Sequence, residues 1–267
     1  MSETLFLGTE CKGTKKIIFP NIKIHKILAF QATSVECFVY LFYFVTENSI
    51  FDGKFLRFFV PLSAKKIEKM KIGIFCSAND QIAAEYFEQT EKLVAWCAKN
   101  GHSIVFGGCD KGLMGCIARS FAKNAMKSGK NGNRSAKNAD LIGVVPRIIE
   151  QGGQTATELT QLIPCENLSD RKDLLLAESD VLVALPGGIG TLDEVFTVAA
   201  GHTIGYHRKK IVLYNIGGFW DALIRLLDDL QTRGMIRGHW SDFIKVAASL
   251  DELTEQLVGL VPEFHLA

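Results

Sequence analysis

Between residues 70 and 260, short apolar runs rich in β-branched residues alternate with longer stretches of helical periodicity. Val181-Leu182-Val183-Ala184-Leu185 carries no polar side chain, the pattern of a strand covered on both faces. Six runs read as strands, at 71–76, 103–106, 140–145, 180–185, 210–214 and 243–247. Helices are expected at 80–99, 111–127, 170–178, 191–203, 218–232 and 250–259. One helix per strand forces crossover connections, and crossovers make neighbouring strands parallel, so the predicted fold class is α/β, a doubly wound parallel sheet. Ser249-Leu250-Asp251-Glu252 has the form of a capping box opening the last helix. Residues 128–139 are polar, with Gly and Asn breakers, and read as an exposed loop.

Residues 1–69 break the pattern. They hold ten of the 18 Phe but three of the 24 Gly, and show neither sustained alternation nor helical spacing. Phe, Ile, Lys and Asn are residues of AT-rich codons, so this composition suits a translated upstream stretch or a disordered extension. The apolar stretch 27–45 raises the question of a membrane helix, but Gln31, Thr33, Ser34 and Glu36 interrupt it. The run left, Cys37 to Val45, is too short to span a bilayer. The expected organisation is an atypical N-terminal extension, 1–69, and a folded domain, 70–267.

With 30 basic and 29 acidic residues, nothing in the overall charge calls for nucleic acid or a membrane surface, so any bound anion must be held locally. The seven cysteines are scattered and form no CxxC pair, and His202 and His207 lack zinc-site spacing. Reduced thiols, a cytoplasmic setting and no metal or other cofactor are expected.

The strongest local signal is Pro186-Gly187-Gly188-Ile189-Gly190-Thr191, between a buried strand and a helix. Ligands of open α/β sheets bind beyond the carboxyl ends of strands. Glycines let the backbone approach a ligand, and a helix N-terminus offers free N–H groups to an anion. The loop fits neither GxGxxG nor the P-loop. A second glycine loop, Gly107-Gly108-Cys109-Asp110-Lys111-Gly112, follows another strand, and a third strand ends at Ser77-Ala78-Asn79. Arg171 and Lys172 are placed in the first turn of a helix, where the dipole disfavours cations, so a bound phosphate or a carboxylate partner is expected beside them. Glu194 stands open to two readings. Thr191-Leu192-Asp193-Glu194 fits a capping box, and the same Glu could face a ligand held at the loop.

Arg171-Lys172 followed by Pro186-Gly187-Gly188-Ile189-Gly190-Thr191-Leu192-Asp193-Glu194 resembles the RK…PGGxGTxxE signature of the Lonely Guy family, and Gly107 to Gly115 resembles its GGGxxGLMG loop. These are cytokinin riboside 5'-monophosphate phosphoribohydrolases, often mislabelled lysine decarboxylases. The resemblance runs from about Met70 to Leu260. It implies a Rossmann-like fold, a homodimer with shared sites, and hydrolysis of a nucleoside 5'-monophosphate to free base and ribose 5-phosphate. It assigns catalysis to Arg171 and Glu194, and substrate contacts to Lys172 and to Gly187, Gly188, Ile189, Gly190 and Thr191. Gly107, Gly108 and Ser77 join the expected substrate crevice. The chain departs from the family pattern at Leu168 and Ser169 (Met-His in MHxRK), at Cys109 (the third glycine) and at Ala200-Gly201 (Thr-Trp). These positions surround the presumed base and ribose pocket, so AMP or another purine monophosphate stands beside a cytokinin riboside as substrate.

Two other functions fit such a fold. A molybdenum-cofactor carrier holds a phosphate-bearing ligand without turning it over, and has no need of the Arg171–Glu194 pair. A DNA-processing protein would carry a basic stripe, which this chain lacks.

Overall fold

The six apolar runs become six of the seven strands of one all-parallel sheet in a computed structural model that describes residues 31–34, 37–40, 69–130 and 139–260. The chain divides into two compact units, Met1–Lys66 and Ile67–Ala267. In the first, β1 (Gln31–Ser34) and β2 (Cys37–Tyr40) pair antiparallel, with Ser34 opposite Cys37. This part of the apolar stretch is therefore extended, and among the described residues no helix is long and apolar enough to cross a membrane. The other expectations for residues 1–69 fall outside the described residues.

In the second unit the strands are β3 (Lys71–Phe75), β4 (Ser103–Phe106), β5 (Leu141–Pro146), β6 (Gln161–Cys165), β7 (Val181–Ala184), β8 (Ile211–Tyr214) and β9 (Ile244–Ala247), ordered β6-β5-β4-β3-β7-β8-β9. Seven helices connect and flank them: α1 (Ala84–Asn100), α2 (Gly112–Lys130), α3 (Arg147–Gln151), α4 (Leu168–Glu178), α5 (Ile189–Thr203), α6 (Asp221–Thr232) and α7 (Leu250–Leu260). Strand side chains alternate between two cores. Val181 and Val183 pack with Leu93, Ile117 and Leu253 of α1, α2 and α7. Leu182 and Ala184 pack with Leu175, Val195 and Leu227 of α4, α5 and α6. A strand buried on both sides has no use for a polar residue, which is why these runs are continuously apolar.

The chain moves from β3 outward to β6, returns through α4 to β7 on the other side of β3, then moves outward to β9. The direction of winding reverses between β3 and β7, and a doubly wound sheet opens its ligand crevice at such a reversal. Backbone pairing continues past both strands. Leu185 N–H donates to the Phe75 carbonyl at 2.9 Å and Ser77 N–H to the Pro186 carbonyl at 3.2 Å. The loops after β3 and β7 therefore leave the sheet side by side.

Two elements were not expected, α3 and β6. Gln-Leu-Ile-Pro-Cys of β6 is an edge strand with mostly exposed side chains and a proline, so it carries no continuous apolar run. Helix α4 starts at Leu168, two residues earlier than expected, with Asn167 as its cap. Arg171 and Lys172 thus occupy its fourth and fifth positions, past the end where the dipole opposes cations most. Helix α2 runs to Lys130, taking in the start of the expected loop; residues 131–138 of that loop lie outside the described residues. Ser249 Oγ accepts the Glu252 N–H at 3.2 Å as a capping box requires, while the Glu252 carboxylate reaches one residue further, to the Ala248 N–H at 2.8 Å.

His102, just before β4, is fully buried, its ring tilted against Trp96 with centroids 4.8 Å apart and its Nδ1 accepting the Met70 N–H at 3.3 Å. Burial pushes its pKa down to about 4. Between about pH 6.5 and 4 the unfolded chain therefore takes up a proton that the folded chain refuses, and stability falls as pH falls through that window. His102→Gln should flatten this acid limb of a denaturation-midpoint-versus-pH curve, by on the order of 2 kcal/mol between pH 6.5 and 4. An unchanged limb would show that another group sets it.

Candidate active site

Helices α2, α4 and α5 begin beside the residues expected to bind substrate, and their N-termini differ; α1, which follows the Ser77–Asn79 loop, has Ala83 at its cap and, like α5, no side-chain cap. A helix leaves its first N–H groups without intrahelical partners, so each must find an acceptor. At α2 the Gly112 N–H is taken by the Asp80 carboxylate at 2.8 Å and the Leu113 N–H by the Ser77 carbonyl at 2.9 Å. At α4 Asn167 Oδ1 accepts from the Ser169 and Asp170 N–H groups, at 2.8 and 3.0 Å. At α5 the cap is Gly188, which offers no side chain, and no side-chain group caps the helix. Gly188 and Gly190 face open space: a Cβ on either would meet nothing within 4 Å. The Pro186–Thr191 loop therefore presents an unsatisfied helix N-terminus at the mouth of the crevice. The Gly107–Gly112 loop leads to a helix end that the protein already satisfies.

The glycines of the two loops answer different constraints. Gly187 is packed against its own helix, where a Cβ would come within 2.6 Å of Thr191 Cβ. Thr191 is buried, so the loop is pinned from below while Gly188, Ile189 and Gly190 are exposed. Gly108 has φ +69°, a left-handed conformation that favours glycine, and its Cα side lies against Gly143 of β5. Ser77 is half-buried and ties the loops together through its N–H, its carbonyl and an Oγ that accepts the Asn79 N–H at 3.0 Å.

Beside the open helix end, α4 and α5 face each other across two ion pairs. Arg171 Nη1 stands 3.6 Å from Glu194 Oε1, and Lys172 Nζ stands 2.9 Å from Asp193 Oδ1. The first pair is buried, with side-chain exposures of 16% and 9%; in the second, Asp193 is open to solvent. Arg171 Nε also donates to the Val144 carbonyl at the end of β5, 3.3 Å away, which holds the guanidinium across the strand ends. The two readings of Glu194 separate here. A capping-box glutamate sits three residues after the cap, but the cap of α5 is Gly188, which puts Thr191 in that place. Glu194 is six residues in, with its carboxylate turned to Arg171.

Burial raises the Glu194 carboxyl to a pKa of about 7, against the pull of Arg171, with Asp193 adding to the rise and Lys172 opposing it. A carboxyl poised near neutrality in a crevice has the properties of an acid–base or charge-stabilising group. The Cys76 thiol, at the end of β3, is held well above its usual range by its own burial and by the Glu194 charge, so it stays a neutral wall of the site. Among the described residues no group of three or more His, Cys, Asp or Glu could hold a metal ion.

The expected residues Arg171, Glu194, Lys172 and Gly187–Thr191 lie together at the strand ends, with Gly107 against Arg171 and Ser77 hydrogen-bonded to Pro186, while Gly108 turns against β5. Sequence reasoning missed three partners: the Val144 carbonyl, Asp80 and Asp193. A main-chain carbonyl has no sequence signature. Asp80 follows Asn79 in a turn, and Asp193 has no role of its own in the capping-box pattern around it.

This is a Rossmann-like α/β protein with an open glycine-rich helix N-terminus and a buried Arg–Glu pair at the switch point of its sheet. The chain belongs to the family described as "Possible lysine decarboxylase", whose model matches residues 115–257 and so includes both charged pairs and the Pro186–Thr191 loop. Among its relatives is the protein named cytokinin riboside 5'-monophosphate phosphoribohydrolase LOG7 of Arabidopsis thaliana, 27% identical over 194 residues, covering 73% of this chain and 83% of the relative. A protein of Oryza sativa subsp. japonica named probable cytokinin riboside 5'-monophosphate phosphoribohydrolase LOGL3 is 28% identical over 192 residues, covering 71% and 83%. Among solved structures, the molybdenum cofactor carrier protein of Chlamydomonas reinhardtii superposes with a TM-score of 0.53 at 19% identity, covering 72% of this chain and 98% of its own. The molybdenum cofactor binding protein of Rippkaea orientalis gives 0.52 at 16% identity, covering 73% and 99%. At these identities the two structures share the fold with this chain.

Proposed function

We propose that the chain hydrolyses the N-glycosidic bond of a purine nucleoside 5'-monophosphate, a cytokinin riboside monophosphate or AMP, to the free base and ribose 5-phosphate. The observation that carries this is the Arg171–Glu194 pair, its carboxylate buried, beside the open, glycine-capped N-terminus of α5. The 5'-phosphate sits on the free N–H groups of Gly188–Thr191. The ribose then extends toward Glu194. As the C1'–N bond breaks, C1' gains positive charge, which the Glu194 carboxylate stabilises while it orients the attacking water. Water oxygen bonds to C1' and one water proton passes to the carboxylate; the base leaves with the bonding electrons and takes a proton from solvent, and Glu194 returns its proton to solvent to close the cycle. Arg171 holds the carboxylate in place and favours its ionised form. Lys172 is drawn off toward Asp193 and adds positive potential at the phosphate side.

The test is to incubate the protein with AMP, and separately with a cytokinin riboside monophosphate, and to assay free base and ribose 5-phosphate. Equal amounts of the two products are expected, and the ratio of the two rates ranks the bases. Retention of AMP with no base released over hours would point instead to a carrier, a reading that makes no use of the Arg171–Glu194 pair.

The domain and its assembly follow the same reading. Residues 70–267 form the enzyme and act as a homodimer. Ile189, Phe196, Ile204 and Tyr206, at the two ends and along one side of α5, are large apolar residues exposed in the single chain; a second copy covers them. A chain beginning at Met70 should run at twice its monomer mass in light scattering and release base at the full-length rate. A fully active monomer would refute the dimer, and an insoluble product would show that residues 1–69 belong to the fold.

A further inference from the structure

We propose that Gly107 is a positioning residue for Arg171: by lacking a side chain, it opens the slot across the end of β4 in which the guanidinium lies. The inference rests on the phosphoribohydrolase reading and gives Gly107 a role other than contact with substrate.

The backbone does not ask for glycine at this position. Of the three glycines in the Gly107–Gly112 loop, Gly108 (φ +69°) and Gly112 (φ +55°) are left-handed, whereas Gly107 is not among the positive-φ residues. Its φ gives no reason for glycine, and the space around it does. A Cβ built on Gly107 would fall well inside contact distance of the Nη2 atom of Arg171, and would lie 3.2 Å from its Cζ and 2.9 Å from Met114 Sδ. Contact this close is not accommodated without movement of one neighbour. The guanidinium is the nearer.

What makes the slot matter is how little else fixes Arg171. Phe106 of β4 pairs with Gly143 of β5, so Gly107 runs beside Val144, the residue whose carbonyl takes Nε at 3.3 Å. On the far side Nη1 meets Glu194 at 3.6 Å, an ion pair without a close hydrogen bond. The side chain bridges from α4 to the end of β5 through a gap walled by Gly107 and Met114. A methyl group in that gap pushes the cation off the carbonyl, off the carboxylate, or both. Misplacing a catalytic group by about 1 Å costs on the order of 100-fold in rate.

The experiment compares Gly107→Ala, Arg171→Lys and the double variant with the wild type, using AMP and a free-adenine assay. Lysine keeps the charge at residue 171 but has neither Nη2 nor Cζ, the atoms a methyl group would strike. Gly107→Ala is expected to lower kcat about 100-fold while KM changes less than about threefold, the split expected of a lost transition-state interaction. In the Arg171→Lys background the same change should cost less than about twofold further. A Gly107→Ala enzyme with wild-type kcat overturns the proposal, as does one in which KM alone rises, since that marks a substrate contact. Equal losses in both backgrounds also overturn it. If Gly107→Ala is insoluble, the double variant decides: soluble with the kcat of Arg171→Lys supports the slot, and insoluble refutes it. A wild type that releases no adenine would sink the underlying reading instead, and so the two failures are distinct.

Discussion

Replacing Glu194 with Gln should lower the turnover of AMP by about 100-fold or more, roughly 3 kcal/mol of barrier, while AMP still binds. The glutamine amide matches the carboxylate in size and fits the same space between α4 and α5. It carries no negative charge, so it cannot stabilise a developing cation at C1' or take a proton from water. The proposed phosphate site, Gly188–Thr191, is one turn away and keeps its backbone, so the dissociation constant measured by calorimetry should move little. The wild-type pH profile belongs to the same prediction. With a carboxyl pKa of about 7, kcat/KM should fall on the acid side of neutrality as Glu194 takes up its proton. In Glu194→Gln the residual rate should lose that limb. A glutamine variant with near-normal turnover would remove Glu194 from the chemistry and leave a nucleotide site without a catalyst.

The same substitution should make the protein more stable at alkaline pH. In the folded chain the carboxyl titrates near 7, against an ordinary value of 4.5. A raised carboxyl pKa means that between those values the folded state holds a proton the unfolded state has released. Stability therefore declines as pH rises from about 4.5 through 7, by up to about 3 kcal/mol. Glutamine resembles the protonated form, so Glu194→Gln should exceed the wild type by about 1–3 kcal/mol at pH 8 and match it near pH 4.5. His102 works in the opposite sense over much of the same range, losing stability as pH falls. The wild-type curve should look flatter than either contribution, and Glu194→Gln should unmask the His102 limb.

How far the sequence reveals this molecule depends on where each signal is stored. Strands buried on both faces, such as Val181–Ala184, are written in composition, because every position must be apolar. Edge strand β6 is held by pairing with β5 on one side, and its Gln161, Leu162 and Pro164 need not be. The Arg171–Glu194 pair was legible through its spacing in the family signature; its geometry was not. The start of α4 was misplaced because Asn167, a standard cap, lies before Leu168 and Ser169, which read as loop. The second glycine loop hides its local packing for a related reason. Its glycines look like those of a phosphate loop, yet their uses here are a left-handed turn at Gly108, an approach to β5, and space for Arg171. Only the distance from Asp80 to the Gly112 N–H shows that this helix end is already occupied.

If the phosphate sits at α5, then Gly188→Asp should weaken AMP binding about 100-fold, leave adenosine binding unchanged, and raise or preserve the melting temperature. Gly188 is the helix cap, with φ −92° and ψ −150°, extended backbone open to any residue. A Cβ there meets nothing within 4 Å, so aspartate enters without strain. Asp is among the best capping residues, better than Gly by a few tenths of a kcal/mol, and its carboxylate suits the positive end of the dipole. It would accept the N–H groups of Gly190 and Thr191 that the phosphate is proposed to use, and it would repel the phosphate by charge. One or two charge-assisted hydrogen bonds at about 1.5–3 kcal/mol each account for the expected loss. Gly188→Asn separates the two causes: it caps the same N–H groups without charge, so its affinity for AMP should fall between wild type and Gly188→Asp. Adenosine lacks the phosphate and does not test this contact, which makes it the control for a general disturbance of the crevice. Unchanged AMP affinity in Gly188→Asp, with the helix as stable as before, would place the phosphate elsewhere and remove the reason for aiming the ribose at Glu194.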